Sequence, residues 1–330
     1  MAILEVNNLE VRFGLRQGDV TALRNISFSL ERGQRLGIVG ESGAGKSVLG
    51  FSILNLIAKP GYISGGQILF EGRDLASMSP KELRHIRGNR ISMIFQDPMM
   101  TLNPVLTIGD QMMECLRAHR KMSKADAQRI ALHKLKLVQI PSPEKRLKQF
   151  PHELSGGMRQ RVVIAIALLL DPEIIVADEP TTALDVTIQA EIMDLMLSLC
   201  EQHNVALILI THDLGVVSQV TQDMIVMYAG RIIEQGPTKE VINDAQHPYT
   251  QGLMNALPQM ALPGQRLNQI RGAMPSLQAI PKGCAFNPRC DYATESCYEV
   301  LPAYTESGNC KVACHMVSQM KQELILTEVL

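Results

Sequence analysis

The order of apolar and polar positions along the 330-residue chain predicts alternating strands and helices from Ile3 to about Asp244. Short apolar runs predict strands in "ILEVNNLEVRF", "ISFSLERGQRLGIVG", "GGQILFEG" and "RISMIFQD". Amphipathic periodicity predicts a helix over 48–57 and helical structure from Thr107 to about Val138, where prolines follow. This alternation is typical of an α/β domain.

A second alternation of strands and helices follows in "EIIVADEP", "VTIQAEIMDLMLSLCEQ", "ALILITHD" and "DMIVMYAGRIIEQG". The strand in "EIIVADEP" lacks polar alternation, so we expect a central strand that is covered on both faces. After Gln246 the chain becomes rich in Pro, Gly and Gln, which predicts an extended wrap or linker before a cysteine-rich end. We therefore predict a main domain over 1–245 and a C-terminal extension over 246–330.

Composition and charge limit the classes of function. The chain has 32 basic and 33 acidic residues, so no whole-molecule field attracts nucleic acid or anionic lipid. The amino terminus lacks the layout of a secretory signal, and the longest apolar run, over 162–170, is too short to span a bilayer. We expect a soluble chain made in the cytosol, where thiols stay reduced unless they are catalytic or bind metal.

The stretch "GESGAGKS" (40–47) has the spacing of a phosphate-binding loop, between an apolar strand and a helix that opens near Lys46. Its backbone N–H groups and the helix N-terminus would hold phosphate, Lys46 would reach the β- and γ-phosphates, and Ser47 would bind Mg²⁺. A glycine-rich turn without a ligand is the alternative, and the strand–helix context disfavours it. The predicted ATP contacts are Gly40, Glu41, Ser42, Gly43, Ala44, Gly45, Lys46, Ser47 and Val48.

Two acidic residues end the apolar strand in "EIIVADEP". Asp178 would emerge at the carboxyl edge of the sheet beside the phosphate loop and hold Mg²⁺ through water. Glu179, one residue further, would orient or deprotonate the water that attacks the γ-phosphate. The alternative is a pair of solvated surface acids, which fits poorly after a run of apolar residues.

The stretch "LSGGMRQR" (154–161) resembles the signature of ATP-binding cassette (ABC) ATPases, and the order and spacing of the other motifs are similar over about residues 3–245. The resemblance implies a P-loop NTPase fold with a mixed sheet, a RecA-like core, an antiparallel β part and a helical subdomain at about 99–170. It also implies that two such domains meet head to tail around two ATP molecules. Ser155, Gly156 and Gly157 would then contact the ATP of the opposite subunit.

The same resemblance implies roles for four further residues. Gln96 in "FQDP" would sense Mg²⁺ and water, and His212 in "ITHD" would contact the γ-phosphate. Asp185 would contact the opposite subunit, and Phe13 would be the aromatic platform under adenine. Met158 departs from the family, in which many members have Gln; with Gln160 nearby we expect a competent site, although the catalytic rate can differ.

The end of the chain narrows the resemblance. "HPYTQGLMNALP" (247–258) and "GCAFNPRCDYATESC" (283–297) are similar to the peptide-importer branch of the family, of which nickel importers are relatives. In that branch this tail is associated with a four-cysteine [4Fe–4S] cluster. Four thiolates also suit tetrahedral zinc, and free thiols or a disulfide remain alternatives. The expected ligands are Cys284, Cys290, Cys297 and Cys314, with Cys310 as the alternative to the last.

We expect that this metal pins a proline-rich tail that buries little surface of its own. The function implied by the resemblance is an ATP-binding and ATP-hydrolysing subunit of a membrane importer for dipeptides and oligopeptides. The chain would lie at the cytoplasmic face of the inner membrane as a peripheral subunit. Its partners would be two transmembrane permeases, a second related ABC ATPase and, indirectly, an extracytoplasmic substrate-binding protein, with no nucleic acid.

Three alternatives remain. The first is an importer of nickel or another small solute from the same branch. The second is a soluble ABC ATPase that acts on nucleic acid, which the single cassette and the lack of a basic stripe disfavour. The third is a nucleotide sensor without turnover, which the presence of both Lys46 and Glu179 disfavours. Four methionines, expected either in the core or at a contact surface for a membrane subunit, are Met99, Met100, Met112 and Met113.

Overall fold

The structure is a computed structural model, and it divides the chain into two compact units. It describes residues 2–16, 18–182, 185–257 and 268–317. Part of the predicted proline-rich wrap, 258–267, lies outside the described residues. The first unit comprises Met1–Ile3, Leu30–Arg35 and Ser77–Ile210. The second unit comprises Leu4–Ser29, Leu36–Ala76 and Thr211–Leu330.

The strands and helices of the described residues follow the order that the sequence predicts. The strands are β1 (Ala2–Leu15), β2 (Gly18–Glu31), β3 (Arg35–Val39), β4 (Gly61–Phe70), β5 (Arg73–Asp74), β6 (Ile91–Ile94), β7 (Ile174–Asp178), β8 (Ala206–Ile210), β9 (Asp223–Tyr228), β10 (Arg231–Pro237), β11 (Thr305–Ser307) and β12 (Cys310–Val312). The helices are α1 (Lys46–Ile53), α2 (Pro80–Ile86), α3 (Pro98–Thr101), α4 (Ile108–His119), α5 (Lys124–Leu137), α6 (Pro143–Arg146), α7 (Gly156–Ala167), α8 (Val186–His203), α9 (Leu214–Val220), α10 (Thr238–Asn243), α11 (Pro248–Asn255) and α12 (Glu295–Glu299).

The first unit holds helices α2–α8 and a parallel set of strands. β7 pairs with β6 on one side and with β8 on the other, and Asp178 lies opposite Ile210 at the carboxyl end. Every residue of β7 and of β8 is buried. The prediction of a central strand covered on both faces is therefore confirmed, because only a strand without a solvent face reads as a continuous apolar run.

The helical stretch predicted over 107–138 is two helices in the structure, α4 and α5. Arg120 leaves the helix with an extended backbone, φ −128° and ψ 130°. Ser123 then caps α5, because its Oγ accepts the backbone N–H of Asp126 at 3.1 Å. A capping serine satisfies an N–H group that has no partner within the helix, so a new helix starts here.

The second unit contains β1–β5 and β9–β12, although a few end residues of β1–β3 belong to the first unit. One sheet has the order β2–β1–β4–β5, with β1 and β4 antiparallel. In the other, β3 runs parallel to β9, and β9, β10, β12 and β11 are antiparallel neighbours. The tail therefore adds two strands, β12 and β11, to this sheet, with Val312 opposite Glu234.

The helices of the structure were compared with the length and apolar character of a membrane span. Within the part of the chain that the structure describes, no helix has both the length and the apolar character needed to cross a bilayer.

Candidate active site

The phosphate loop connects β3 to α1 and depends on glycine at its first position. Gly40 has φ 152°, and a Cβ atom there would lie 2.3 Å from the carbonyl oxygen of Met227. Gly45 has φ 100° and stands directly before α1, which begins at Lys46. Glycine allows this backbone path without steric cost, whereas other residues would be strained. The loop therefore has the strand–loop–helix setting that the sequence predicts.

Lys46 is held inside its own loop. Its side chain is buried, and Nζ donates to the backbone oxygen of Gly40 at 2.8 Å and to that of Glu41 at 3.1 Å. The carbonyl of Glu41 also accepts the N–H of Ala44 at 3.1 Å. The ammonium group thus lies against carbonyls of the same loop, at the position from which a P-loop lysine contacts a phosphate.

The remaining predicted residues of the second unit differ in exposure. Ser42 and Gly43 are exposed at the tip of the loop. Ser47 and Val48 are half-buried in the first turn of α1. Phe13 is half-buried on β1, opposite Gly61 of β4, and His212 is exposed.

The acidic pair of the first unit lies where β7 ends. Asp178 is the last residue of the strand and is buried, with 3% of its surface exposed. Glu179 follows with φ 46°, a left-handed conformation that is rare for a residue with a side chain. Its N–H donates to the carbonyl of Ile210 at 2.8 Å. Strained backbone of this kind clusters at active sites, where the surrounding structure holds it.

The Glu179 carboxylate lies between two donors. Gln96 Nε2 and Thr182 Oγ1 each donate to Glu179 Oε2 at 3.0 Å. The structure thus brings together Gln96 and Glu179, two of the predicted site residues. Thr182 is a site residue that the sequence reasoning missed. A hydroxyl three residues after a strained glutamate, in "DEPTT", is the signal that could have identified it.

The predicted signature residues open a helix, as expected. Ser155 caps α7, and its Oγ accepts the backbone N–H of Met158 at 3.3 Å. Ser155 and Gly156 are exposed. Asp185 caps α8 in the same way, with Oδ1 accepting the N–H of Ile188 at 3.0 Å. Exposed residues at a helix start suit contact with an anion, because the N-terminal N–H groups and the helix dipole point outward.

The predicted metal site of the tail is wrong. Among residues 2–16, 18–182, 185–257 and 268–317, no group of three or more His, Cys, Asp or Glu side chains is placed to hold a metal ion. The prediction of a [4Fe–4S] cluster, with zinc as the less favoured metal, is therefore withdrawn. The disulfide alternative fails as well, because every cysteine is a free thiol. The four proposed ligands were Cys284, Cys290, Cys297 and Cys314, with Cys310 as the alternative.

Burial explains why these cysteines behave as thiols. It raises the pKa of Cys284 to about 11 and also raises the pKa of Cys290 and Cys314. A raised pKa favours the neutral thiol where no metal is bound. Cys297 is buried in α12 and Cys310 is buried in β12, and each packs as a small side chain.

Strand pairing and an aromatic cluster connect the tail to the sheet of the second unit. Phe286 packs edge-on against Tyr228 and Tyr249, with ring centroids 5.3 Å and 5.4 Å apart. Tyr228 and Tyr249 lie 4.7 Å apart. All three side chains are buried. The expectation that the tail buries little surface is thus corrected, because Phe286, Cys297 and Val312 of the tail are buried. Aromatic pairs of this geometry contribute about 0.5–1.5 kcal/mol each beyond their buried area.

The phosphate loop with its buried lysine, together with a strained glutamate after an apolar strand, defines the class: a P-loop nucleoside triphosphatase. Two family models match, the ABC transporter model over residues 23–182 and the oligopeptide/dipeptide transporter C-terminal region over residues 233–297. The chain belongs to the ABC transporter family. It has the ABC ATPase fold that the sequence predicts, and it is an ATPase.

Relatives agree over nearly the whole chain. It is 49% identical to the dipeptide transport ATP-binding protein DppD of Bacillus subtilis, with 98% of each chain covered. It is 48% identical to the oligopeptide transport ATP-binding protein OppD of Salmonella typhimurium, covering 94% of this chain and 93% of that one. A solved dimeric bacterial ABC transporter cassette matches with a TM-score of 0.64 and 28% identity, covering 71% of this chain and 98% of the cassette.

Proposed function

We propose that this chain is the ATP-hydrolysing subunit of a membrane importer for dipeptides and oligopeptides. The relatives above are dipeptide and oligopeptide transport proteins, and the tail matches the C-terminal region of that group. Nothing in these likenesses favours nickel as the substrate. They also lend no support to a role on nucleic acid, because the relatives above are named for transport.

The observation that carries the catalytic proposal is the setting of Glu179. Its left-handed backbone sets the direction in which the side chain leaves the chain. Hydrogen bonds from Gln96 and Thr182 then fix the position of Oε2. A carboxylate held in this way can orient a water molecule and accept its proton as the water attacks a phosphorus atom. We assign Glu179 this role, with Gln96 and Thr182 as its positioning residues.

The phosphate loop supplies the binding of ATP. Lys46 would exchange its carbonyl partners for the β- and γ-phosphates, and His212 would contact the γ-phosphate. Oxygen donors are the ligands that Mg²⁺ prefers, and the chain offers the Ser47 hydroxyl in the second unit and the Asp178 carboxylate and Gln96 amide in the first. Mg²⁺, when bound, neutralises charge that develops on the transferred phosphoryl group.

The outer contacts are also proposed from the family. Ser155, Gly156 and Gly157 would contact the ATP of an opposite ABC subunit, and Asp185 would meet that subunit. The opposite subunit is proposed to be a second, related ATPase rather than a copy of this chain. Phe13 would support the adenine ring.

The proposed permease contact lies on α3 and the segment after it. Met100 is 86% exposed and Val105 is 75% exposed, whereas Met112 is fully buried in α4. Met112 is therefore a core residue, and Met100 is the methionine best suited to contact a helix of a membrane subunit.

The proposal also includes partners and a location. The partners are two permeases and an extracytoplasmic binding protein, and the chain lies peripherally at the cytoplasmic face of the inner membrane. The division into a nucleotide-binding domain over 1–245, with a helical subdomain at 99–170, and an extension over 246–330 is kept as part of it.

The catalytic proposal is tested with Glu179→Gln, which keeps the size of the side chain and removes its basicity. We expect phosphate release to fall by about a hundredfold or more, with the dissociation constant for ATP within threefold of the parent. The matched control is Glu144→Gln, an exposed glutamate that pairs with Lys136. Full turnover by Glu179→Gln would refute the assigned role.

The substrate is tested in cells that lack the gene for this chain. Uptake of labelled dipeptides, of longer peptides and of nickel is measured before and after the gene is restored. Restored peptide uptake supports the proposal. Restored nickel uptake without peptide uptake would overturn it and favour the alternative importer.

A further inference from the structure

Glu41, the second residue of the phosphate loop, has all its polar groups engaged within the second unit. Its N–H donates to the hydroxyl oxygen of Tyr249 at 2.8 Å. Its carboxylate accepts two hydrogen bonds from Arg289, at 2.8 Å from Nη1 and at 3.0 Å from Nη2. Its carbonyl accepts the ammonium group of Lys46 at 3.1 Å. One residue therefore joins the C-terminal region to the lysine of the phosphate loop.

Arg289 is fixed from the side of the tail. Its side chain is only 5% exposed. Nε donates to the carbonyl of Arg271 at 2.8 Å, and the guanidinium lies 5.9 Å and 5.8 Å from the ring centroids of Tyr228 and Phe286. The planar fork of arginine matches a carboxylate with two parallel hydrogen bonds, which a lysine cannot do. The position of the Glu41 carboxylate is thus set by the fold of the tail.

The position of Glu41 is electrostatically unusual. A glutamate in a loop that binds a triphosphate places a negative charge beside a ligand of the same sign, which weakens binding unless the charge is neutralised. The bidentate contact with Arg289 supplies that neutralisation. A buried ion pair of this kind is weak evidence for stability, because desolvation offsets its attraction. Its position beside the phosphate loop therefore points to a role other than stability.

We propose that Arg289 and Tyr249 form a clamp from the C-terminal region that positions the phosphate loop through Glu41 and neutralises its charge, so that the tail sets the affinity for MgATP. Both are positioning residues that act through Glu41 on Lys46. The proposal deepens the proposed function and rests on the assignment of this loop to ATP.

Loss of Arg289 should weaken the binding of MgATP. The carboxylate of Glu41 becomes an unpaired charge in the loop, repels the triphosphate and no longer holds the carbonyl that faces Lys46. We expect the dissociation constant for MgATP to rise about tenfold, the size of one charge interaction at short range that is screened by water. Removal of both charges removes the repulsion, so the affinity returns most of the way to that of the parent.

The experiment measures MgATP binding by calorimetry on the full chain. The variants are Arg289→Gln, Glu41→Gln and the double variant. The matched control is Lys282→Gln, which breaks a tail ion pair with Glu299 whose side chains are 80% and 68% exposed. Thermal unfolding of each variant reports whether the tail and the sheet remain folded.

The clamp predicts weak binding of MgATP by Arg289→Gln, recovery in the double variant, and no change in Lys282→Gln. A purely structural role predicts the opposite order, with the double variant at least as weak as Arg289→Gln, and this result would overturn the proposal. Binding by Arg289→Gln within twofold of the parent would also overturn it.

Lys46→Ala tests the assignment of the phosphate loop to ATP, and so distinguishes a failure of the proposed function from a failure of the clamp. If Lys46→Ala loses MgATP while Arg289→Gln keeps it, the clamp is wrong and the loop assignment stands. If Lys46→Ala binds MgATP as the parent does, the loop assignment itself is wrong.

Discussion

His247 makes the stability of the second unit depend on pH. The side chain is buried where α10 leads to α11, and Nδ1 accepts the backbone N–H of Tyr249 at 3.0 Å. The ring lies 5.9 Å from that of Phe286. Burial disfavours the charged imidazolium, and it lowers the pKa of His247 from 6.5 to about 3. The folded chain therefore keeps a neutral ring at a pH at which an exposed histidine is charged.

The sign and size of the effect follow from this shift. Between pH 6.5 and pH 3 the unfolded chain binds a proton at this histidine and the folded chain does not, so the free energy of unfolding falls as the pH falls. The contribution of the neutral ring is complete above about pH 6.5 and is lost on the way down to the folded pKa. At pH 5, about 1.5 pH units below the pKa of an exposed histidine, the free energy of unfolding has fallen by about 2 kcal/mol.

The assay is urea unfolding at pH 7.5 and at pH 5.0, followed by circular dichroism. The parent should lose about 2 kcal/mol more than His247→Gln between the two pH values, whatever the stability of the variant at pH 7.5. Contributions from other groups cancel in this difference. The matched control is His203→Gln, whose ring is exposed at the end of α8 and which should follow the parent.

A second measurement needs no variant. In the parent labelled with ¹³C-histidine, one ring resonance should keep the chemical shift of neutral imidazole down to about pH 4. Equal loss of stability by His247→Gln and the parent, or titration of every histidine near pH 6.5, would refute the reasoning.

Two further predictions concern the loop and the membrane contact. Gly40→Ala should bind MgATP at least about tenfold more weakly and lower the melting temperature, because its Cβ would lie 2.3 Å from the carbonyl oxygen of Met227. Gly72→Ala, with φ 75° but open space around the Cβ, shares only the backbone strain and should keep its affinity for MgATP; equal effects of both variants would contradict the steric argument. Met100→Glu should bind MgATP as the parent does and co-purify less with the permeases from solubilised membranes. Unchanged co-purification would remove Met100 from the proposed contact.

Much of the fold is readable from the sequence because its elements are locally coded. β7 and β8 are continuous apolar runs, and each leads to an acidic or polar residue at its carboxyl end. The loop before α1 has glycine where the backbone leaves the usual regions. The split between α4 and α5 was missed, although Ser123 followed by Asp126 is a capping pattern. Helical periodicity alone continues across such a break.

The candidate site is readable only in part. Glu179 and Gln96 are separated by 83 residues, yet both follow strands of one parallel set, so topology brings them together. Glu41 and Arg289 are separated by 248 residues and share no such rule. Their contact depends on how the tail folds back, which no local pattern encodes. Contacts of this kind need coordinates.

The error over the cysteines has a definite physical origin. Cysteine spacing indicates which thiols can approach each other, but a metal also needs them as thiolates in one coordination sphere. In the structure the four thiols influence one another but form no group placed to hold a metal ion among the described residues, and β12 pairs the tail with β10. β10 pairs with β9 on one edge and with β12 on the other. A strand that is paired on both edges cannot move alone, so displacement of the tail either opens the β10–β12 ladder or moves β9 with it.

The aromatic cluster strengthens this coupling. Tyr228 is the last residue of β9, Phe286 belongs to the tail, and both stand beside the guanidinium of Arg289. Any change that separates the tail from β10 therefore also removes the wall that holds Arg289 against Glu41. The sheet and the clamp thus respond to the same displacement. Lys311→Pro removes a backbone N–H from β12 and is expected to weaken its strand pairing. Like Arg289→Gln, this variant should bind MgATP more weakly than the parent.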